Sequence, residues 1–293
     1  MNYPKIKKAV FPVAGFGTRF LPVTKSQPKE MLPVVDKPVI QYLVEEAVQS
    51  GIEEIIIVTG RGKRAIEDYF DQSFELEHNL VEKGKTDLLR EVLEIPNLAK
   101  FIYVRQSVPK GDGDAIMQAF NIVKDEPFAV LFGDDLVVHE VPAIKQLMQV
   151  YEQTGSSVVA LTEVLDTELS SYGVVNVKDF KSANLEITDL VEKPKTRAEA
   201  PSNLGVIGKY IITPEVLAVL NDLYKKPIIS GELRLADALK LAVNSGVPVY
   251  GKLIEGERFD TGSKLGLIKA TIDFAMRRQD LAPELKEFLK RYV

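Results

Sequence analysis

Six consecutive apolar residues, Ala9 to Ala14, run directly into Gly15-Phe16-Gly17-Thr18-Arg19, and that junction restricts the chain more than any other stretch. A short apolar run without polar alternation, with lysines before it and glycines after, reads as a strand buried on both faces, the first of a parallel sheet. Pro12 cannot donate to a ladder, which argues against a central position for this strand. Beyond it, the two glycines let the backbone approach something bulky, and open N–H groups beside Arg19 form a receptor for phosphate oxygens. Lys29 follows as a second fixed cation. Lys25 lies between the two, either in a cleft or on the solvated surface.

Two familiar phosphate loops can be set aside. A dinucleotide fingerprint requires a third glycine three positions after Gly17, where Phe20 stands, so a nicotinamide-linked oxidoreductase is excluded despite Asp36 at a suitable distance. A Walker A loop requires Gly-Lys-Ser/Thr, and Gly60-Arg61-Gly62-Lys63 fails because Arg64 occupies the hydroxyl position. Asp36-Lys37-Pro38 opens an amphipathic helix through Val39, Ile40, Leu43, Val44, Ala47 and Val48, stopped by Gly51. Ile55 to Val58 is a second buried strand, which completes a right-handed βαβ unit. Helices are expected over 63–70, 75–94 with a break near Gly84, and 115–123. Further strands fall at Ile102 to Val104, Phe128 to Phe132 and Ser157 to Glu163. Asp134 and Asp135 sit at the carboxyl end of the Phe128 strand, the edge where open α/β sheets gather ligands.

The later chain changes character. Short connections make Val174 to Val177, Leu185 to Val191 and Gly205 to Ile212 antiparallel additions, followed by helices over 233–244 and 264–277 around a strand at Val247 to Leu253. Glu284 to Tyr292 is a C-terminal helix. The expected fold is α/β: a Rossmann-like, mostly parallel mixed sheet flanked by helices, with a smaller antiparallel part. No Gly/Ser-rich linker interrupts the chain, so residues 1–293 read as a single domain of two halves, over 1–165 and 166–293.

At 293 residues the chain can bury a large core, and its net charge of −5 gives no global basic field for nucleic acid. Any positive charge that serves anionic ligands must be concentrated in one cleft. The absence of cysteine excludes disulfides, thiolate catalysis and zinc–thiolate sites. Neither a signal-peptide core nor a run of transmembrane length is present, so the expectation is a cytoplasmic protein without membrane partners.

Gly15-Phe16-Gly17-Thr18-Arg19 together with Pro28-Lys29 resembles the Gly-x-Gly-Thr-Arg…Pro-Lys signature of sugar-phosphate nucleotidyltransferases. The flanking words Phe20-Leu21-Pro22-Val23-Thr24-Lys25 and Lys29-Glu30-Met31-Leu32-Pro33 are similar to the bacterial UTP–glucose-1-phosphate uridylyltransferases in particular. The likeness extends over nearly the whole chain, through Val58-Thr59-Gly60-Arg61-Gly62-Lys63, Tyr172-Gly173, Val191-Glu192-Lys193-Pro194, Pro201-Ser202-Asn203 and Phe259-Asp260-Thr261-Gly262. It implies the reaction of UTP with glucose 1-phosphate to UDP-glucose and pyrophosphate, with dTTP or another hexose 1-phosphate as the alternative. A non-catalytic binding relative would be marked by loss of Arg19, Lys29, Asp134 or Lys193, and all four are present. A homo-oligomer, dimer or tetramer, is also expected.

The resemblance assigns catalytic electrostatics to Arg19, Lys29 and Lys193. It places the nucleotide on Ala14, Gly15, Gly17, Thr18, Glu30, Gln106 and Gly111, and the sugar phosphate on Gly173, Glu192, Lys193 and Asn203. Mg²⁺ follows from the triphosphate, with Asp134 and Asp260 as ligands, while Asp135 either joins them or caps the next element. A sugar phosphate is already ionised at neutral pH, so no general base is needed. Only His78 and His139 could supply an imidazole, and both read as surface or structural. One departure stands out: relatives commonly read Gly-Leu-Gly-His-Ala where this chain has Gly111-Asp112-Gly113-Asp114-Ala115. Either the aspartates sit at the start of the next helix, where negative charge is favourable and UTP stays preferred, or the loop selects another base.

Overall fold

A computed structural model of the protein describes residues 3–226 and 231–292. Its strands are β1 (Lys8–Pro12), β2 (Pro33–Val34), β3 (Lys37–Pro38), β4 (Glu54–Thr59), β5 (Lys100–Arg105), β6 (Phe128–Leu131), β7 (Asp135–Val138), β8 (Ser157–Glu163), β9 (Gly173–Val177), β10 (Leu185–Glu192), β11 (Leu204–Ile212), β12 (Val249–Leu253) and β13 (Glu257–Asp260). The helices are α1 (Val39–Gln49), α2 (Arg64–Phe70), α3 (Phe74–Glu82), α4 (Thr86–Glu94), α5 (Asp112–Gln118), α6 (Phe120–Val123), α7 (Ala143–Thr154), α8 (Pro214–Tyr224), α9 (Leu235–Asn244), α10 (Lys264–Met276) and α11 (Ala282–Leu289). Nine strands form one sheet in the order β5-β4-β1-β6-β11-β8-β12-β10-β9, while β7 pairs with β13 and β2 with β3 as separate ribbons.

The β5-β4-β1-β6 segment is parallel, and helical crossovers make each link. Strand order therefore reverses between β1 and β6, and the loops after these two strands face a common crevice. Alternate residues of β1 serve opposite layers. Ala9, Phe11 and Val13 pack with α1, α2 and α7 on one face, and Val10 packs with α5, α8 and α9 on the other. Such two-sided burial is why these strands read as unbroken apolar runs.

Contrary to the expectation from Pro12, β1 lies centrally, between β4 and β6. The conflict is resolved by ladder length. β6 pairs only with Ala9 and Val10 of β1, so the missing N–H of Pro12 falls past the end of that ladder. On the β4 side, bonding continues from Val13 N–H to the Val58 carbonyl at 3.0 Å.

β11 joins the two parts of the sheet. It runs antiparallel to β6 and β8, while β12 lies parallel to β8 and β10 and β9 complete the edge in antiparallel fashion. Along one edge of β11, Leu204 and Gly205 pair with β9, whereas Lys209 to Ile212 pair with β6. The register breaks between Val206 and Tyr210, and the sheet splits there. A cavity of about 480 Å³ opens along Val206, Ile207 and Gly208.

Three elements differ from the sequence expectation. The helix expected from Ala115 begins at Asp112 and divides into α5 and α6. α8, opened by Pro214 in its first turn, buries Val216, Leu217 and Leu220 and had not been anticipated. The β7–β13 ribbon was also missed, because each strand is only four residues long. Among the described residues no helix is long and apolar enough to cross a membrane.

Candidate active site

The loop after β1 places two cations. Gly17 takes φ 64°, and a Cβ there would lie 3.1 Å from Lys29 Cβ and 3.2 Å from Thr24 Cγ2. Glycine is thus required both for the left-handed turn and for the close approach to the Lys29 stem. Thr24 Oγ1 donates to the Gly17 carbonyl at 2.8 Å, which fixes the turn. Gly15 has open space around it. Arg19 projects from this loop into the cavity wall, whereas Lys25 is exposed and does not line that cavity.

Lys29 Nζ donates to Asp134 Oδ2 at 2.5 Å. Burial alone would lower the Lys29 pKa and raise that of Asp134, but each group's charge on the other prevails. Lys29 is therefore held above the ordinary lysine value and Asp134 below the ordinary aspartate value. Beneath the pair lies Glu30, 1% exposed, which accepts from the buried Lys63 Nζ at 2.8 Å. Glu30 supports the loop from below, and it does not face the cavity.

Asp260 comes from the far side. β13 pairs with β7 so that Asp260 stands opposite Asp135, and Thr261 locks the junction by donating N–H and Oγ1 to the Asp134 carbonyl at 2.8 and 2.9 Å. A Cβ on Gly262 would meet Asp134 Oδ2 at 2.5 Å and Asp260 Oδ1 at 3.0 Å. Two carboxylates therefore converge on one small space that only glycine leaves open. Burial, then Asp135 and Asp134, raise the Asp260 pKa, as crowding of carboxylates does. Hard oxygen donors of this kind suit a divalent ion that completes its shell with phosphate and water. Among the described residues no three His, Cys, Asp or Glu side chains are grouped so as to hold a metal ion by themselves. Asp135 neither caps an element nor joins this pair. Its Oδ1 accepts from Arg258 Nε at 2.5 Å and its Oδ2 from Gly208 N–H at 2.9 Å.

The other end of the cavity is built by the β9–β10 pairing, which sets Glu192 opposite Gly173. A Cβ on Gly173 would lie 2.9 Å from Glu192 Oε2, so the glycine keeps that carboxylate in place. Lys193 adopts φ 48°, a left-handed conformation that lysine rarely enters. Its N–H donates to the Tyr172 carbonyl at 3.0 Å. Its ammonium stays exposed, 3.7 Å from Glu192 Oε1.

One cavity wall thus brings together Arg19, Asp134, Asp260, Gly173, Glu192 and Lys193. Ala14, Gly15, Gly17 and Thr18 form the loop behind Arg19, and Asn203 lies exposed outside the wall. Gln106 is 4% exposed, and its Nε2 donates to the Gly111 carbonyl at 3.0 Å and to Asp114 Oδ2 at 2.6 Å. Both amide hydrogens are thereby committed, leaving the side-chain oxygen. Asp112 and Asp114 fall in the first turn of α5, and the N-cap position itself is held by Gly111, without a side-chain bond. Asp114 secures Gln106, and Asp112 reaches across to the start of α9. Sequence reasoning missed Tyr172, Tyr210, Arg234 and Arg258 as cavity residues. Of these, Tyr172, within the Tyr172-Gly173 motif, and Arg258, adjacent to the Phe259-Asp260 motif, carried a local signal.

A family model described as Nucleotidyl transferase matches residues 8–276. A UTP–glucose-1-phosphate uridylyltransferase of Staphylococcus haemolyticus is 50% identical over 98% of each chain, and one of Bacillus subtilis is 48% identical over 98% of this chain and 97% of its own. Among solved structures, a UTP-bound enzyme from Acinetobacter baumannii has a TM-score of 0.88 at 39% identity, over 97% of this chain and 99% of that one. A UDP-glucose pyrophosphorylase complexed with UDP-glucose has a TM-score of 0.81 at 42% identity, covering 94% and 100%.

Proposed function

The chain belongs to the nucleotidyl transferase family, and from that premise we propose that it transfers a uridylyl group from UTP to glucose 1-phosphate, releasing pyrophosphate. A single observation carries this reading. One cavity is lined by Arg19 and Asp134, the latter paired with Lys29 behind the wall, and by Gly173, Glu192 and Lys193, a set of charges suited to two phosphorylated ligands. A phosphate oxygen of the sugar phosphate attacks the α-phosphorus in line, the bond to the β-phosphate bridge breaks, and pyrophosphate departs.

The protein's part is positioning and charge neutralisation. Arg19 and the backbone around Gly15 hold the triphosphate. Lys29 exchanges Asp134 for the phosphate as nucleotide arrives, and Lys193 guides the sugar phosphate while Glu192 accepts from sugar hydroxyls. His78 and His139 are both exposed, and no proton needs to be removed from the attacking phosphate. Asp134 and Asp260 would hold Mg²⁺, which when bound offsets charge on the transferring phosphate. Such substrates belong to the cytoplasm, where we place the enzyme. The test is a pyrophosphate-release panel that crosses UTP, dTTP, CTP, ATP and GTP with several hexose 1-phosphates in the presence of Mg²⁺. UTP with glucose 1-phosphate should lead in kcat/KM. A lead for dTTP or a purine triphosphate overturns the substrate assignment, and no turnover by any pair overturns the enzymatic one.

A further inference from the structure

We propose that Asp112 determines specificity for the sugar ring, by accepting a hydrogen bond from one ring hydroxyl. The proposal rests on the reading above, that this cavity takes a hexose 1-phosphate. Asp112 lines the same wall as Gly173, Glu192 and Lys193. Its backbone is rigidly held. Gly111 has φ 106°, and a Cβ there would lie 2.2 Å from the Leu233 carbonyl. Leu233 N–H donates to the Lys110 carbonyl at 2.8 Å, and Gly113 N–H donates to the Leu233 carbonyl at 2.9 Å. The loop and the segment before α9 are therefore stitched together, and Asp112 stays at the cavity wall.

Within that frame the carboxylate has two distinct oxygens. Oδ1 accepts the N–H of Leu235 at 2.7 Å, the Gly113 N–H also lies against the carboxylate, and the remaining lone pairs, on the cavity side, are acceptors for whatever the cavity holds. The surroundings favour a hydroxyl. Burial and the neighbouring Glu192 act against the charged form, while the N–H groups of Leu235 and Gly113 and the Arg234 guanidinium support it. A half-buried carboxylate beside another carboxylate needs donors for its remaining lone pairs, and a polyhydroxylated ring supplies them. Tyr210 lies within electrostatic reach of both Asp112 and Glu192, so the three polar groups surround one end of the cavity.

Asp112→Asn separates recognition from architecture, because the asparagine oxygen can still accept from Leu235 N–H while its amide turns a donor to the cavity. The variant should raise KM for glucose 1-phosphate about tenfold or more, as expected for a lost charge-assisted bond, with KM for UTP unchanged. Wild type should also discriminate against one monodeoxyglucose 1-phosphate more strongly than the variant does. If the asparagine variant fails to fold, Asp112→Ser gives the same comparison. A sugar KM equal to wild type, or identical discrimination among the deoxy sugars in both proteins, overturns the proposal while the uridylyl-transfer reading stands. Absence of wild-type turnover with UTP and glucose 1-phosphate overturns both.

Discussion

Lys29 and Asp134 show how one side chain's charge is maintained by another. Asp134 keeps a depressed pKa inside a buried site chiefly because the Lys29 ammonium lies against it, with Arg19 and Arg258 adding to the effect. Asp134→Asn should therefore leave a folded protein, since an amide fills the same space, but one that requires at least about tenfold more Mg²⁺ for activity. Activity titrated against Mg²⁺ checks this, and an unchanged midpoint would remove Asp134 from the metal site. Asp112 offers a second test through pH. Burial raises its pKa from 3.8 to about 6, so between these values the folded state binds a proton that the unfolded chain has released. Stability contributed by this group is then present below about pH 4 and lost as pH rises through about 6, by on the order of 2–3 kcal/mol at most. Urea midpoints of wild type and Asp112→Asn over that window should converge at the acid end and separate toward neutrality, with the variant the more stable. At this scale the chain was legible wherever a motif fixed both residue and neighbour, as at Arg19, Lys29 and Asp134. Gln106 was not, because its donors are consumed by Asp114 and the Gly111 carbonyl, partners that are set by loop closure.

Elements are pinned to one another by buried charge as well as by apolar packing. Lys209 of β11 is fully buried, and its Nζ lies 2.8 Å from Glu46 Oε2 of α1. Glu46 Oε1 also accepts the N–H of Ile144 in the first turn of α7 at 3.0 Å. One carboxylate thus joins two helices to the strand that bridges the sheet. Glu46→Ala should destabilise by about 3–5 kcal/mol, since it strands an ammonium in the core, whereas Lys209→Met together with Glu46→Leu should cost far less. Chemical denaturation of the three proteins decides the matter, and equal losses for the single and double variants would refute it. The pattern Val39, Ile40, Leu43, Val44 disclosed α1 in the sequence, but nothing in that pattern marked Glu46 as buried. A charged residue on an apolar stripe declares itself only when its counter-charge, here 163 positions away, is brought beside it. α8 was missed for a different reason: it follows β11 with only Thr213 between them, and the apolar run of the strand masked the change in period.

For the molecule as a whole, the cavity exists because β11 changes partners partway along its edge, from β9 to β6. The parallel half, with its helices on both faces, could be read from apolar runs and glycine stops. The split could not, because a register break between Val206 and Tyr210 leaves no mark in residue type beyond a single Gly208. Its consequence is a division of labour. One end is built from loops after β1 and β6, and the other from the β9–β10 hairpin that carries Glu192 and Lys193; on the function proposed above, the first takes the nucleotide and the second the sugar phosphate. Lys193 belongs wholly to the second part. Its ammonium has the adjacent Glu192 carboxylate 3.7 Å away, and the Lys29–Asp134 pair is assembled from the other part. Lys193→Ala should accordingly lower affinity for glucose 1-phosphate by about 1.5–3 kcal/mol, the loss of one charge-assisted contact to phosphate. Affinity for UTP should change little, because the loop that holds Arg19 keeps its own supports, the Thr24 bond to the Gly17 carbonyl and the Lys63–Glu30 pair beneath. Calorimetry with each ligand separately distinguishes the outcomes. If UTP binding falls as steeply as sugar-phosphate binding, the two ends are coupled through β11, and the cavity acts as a single site.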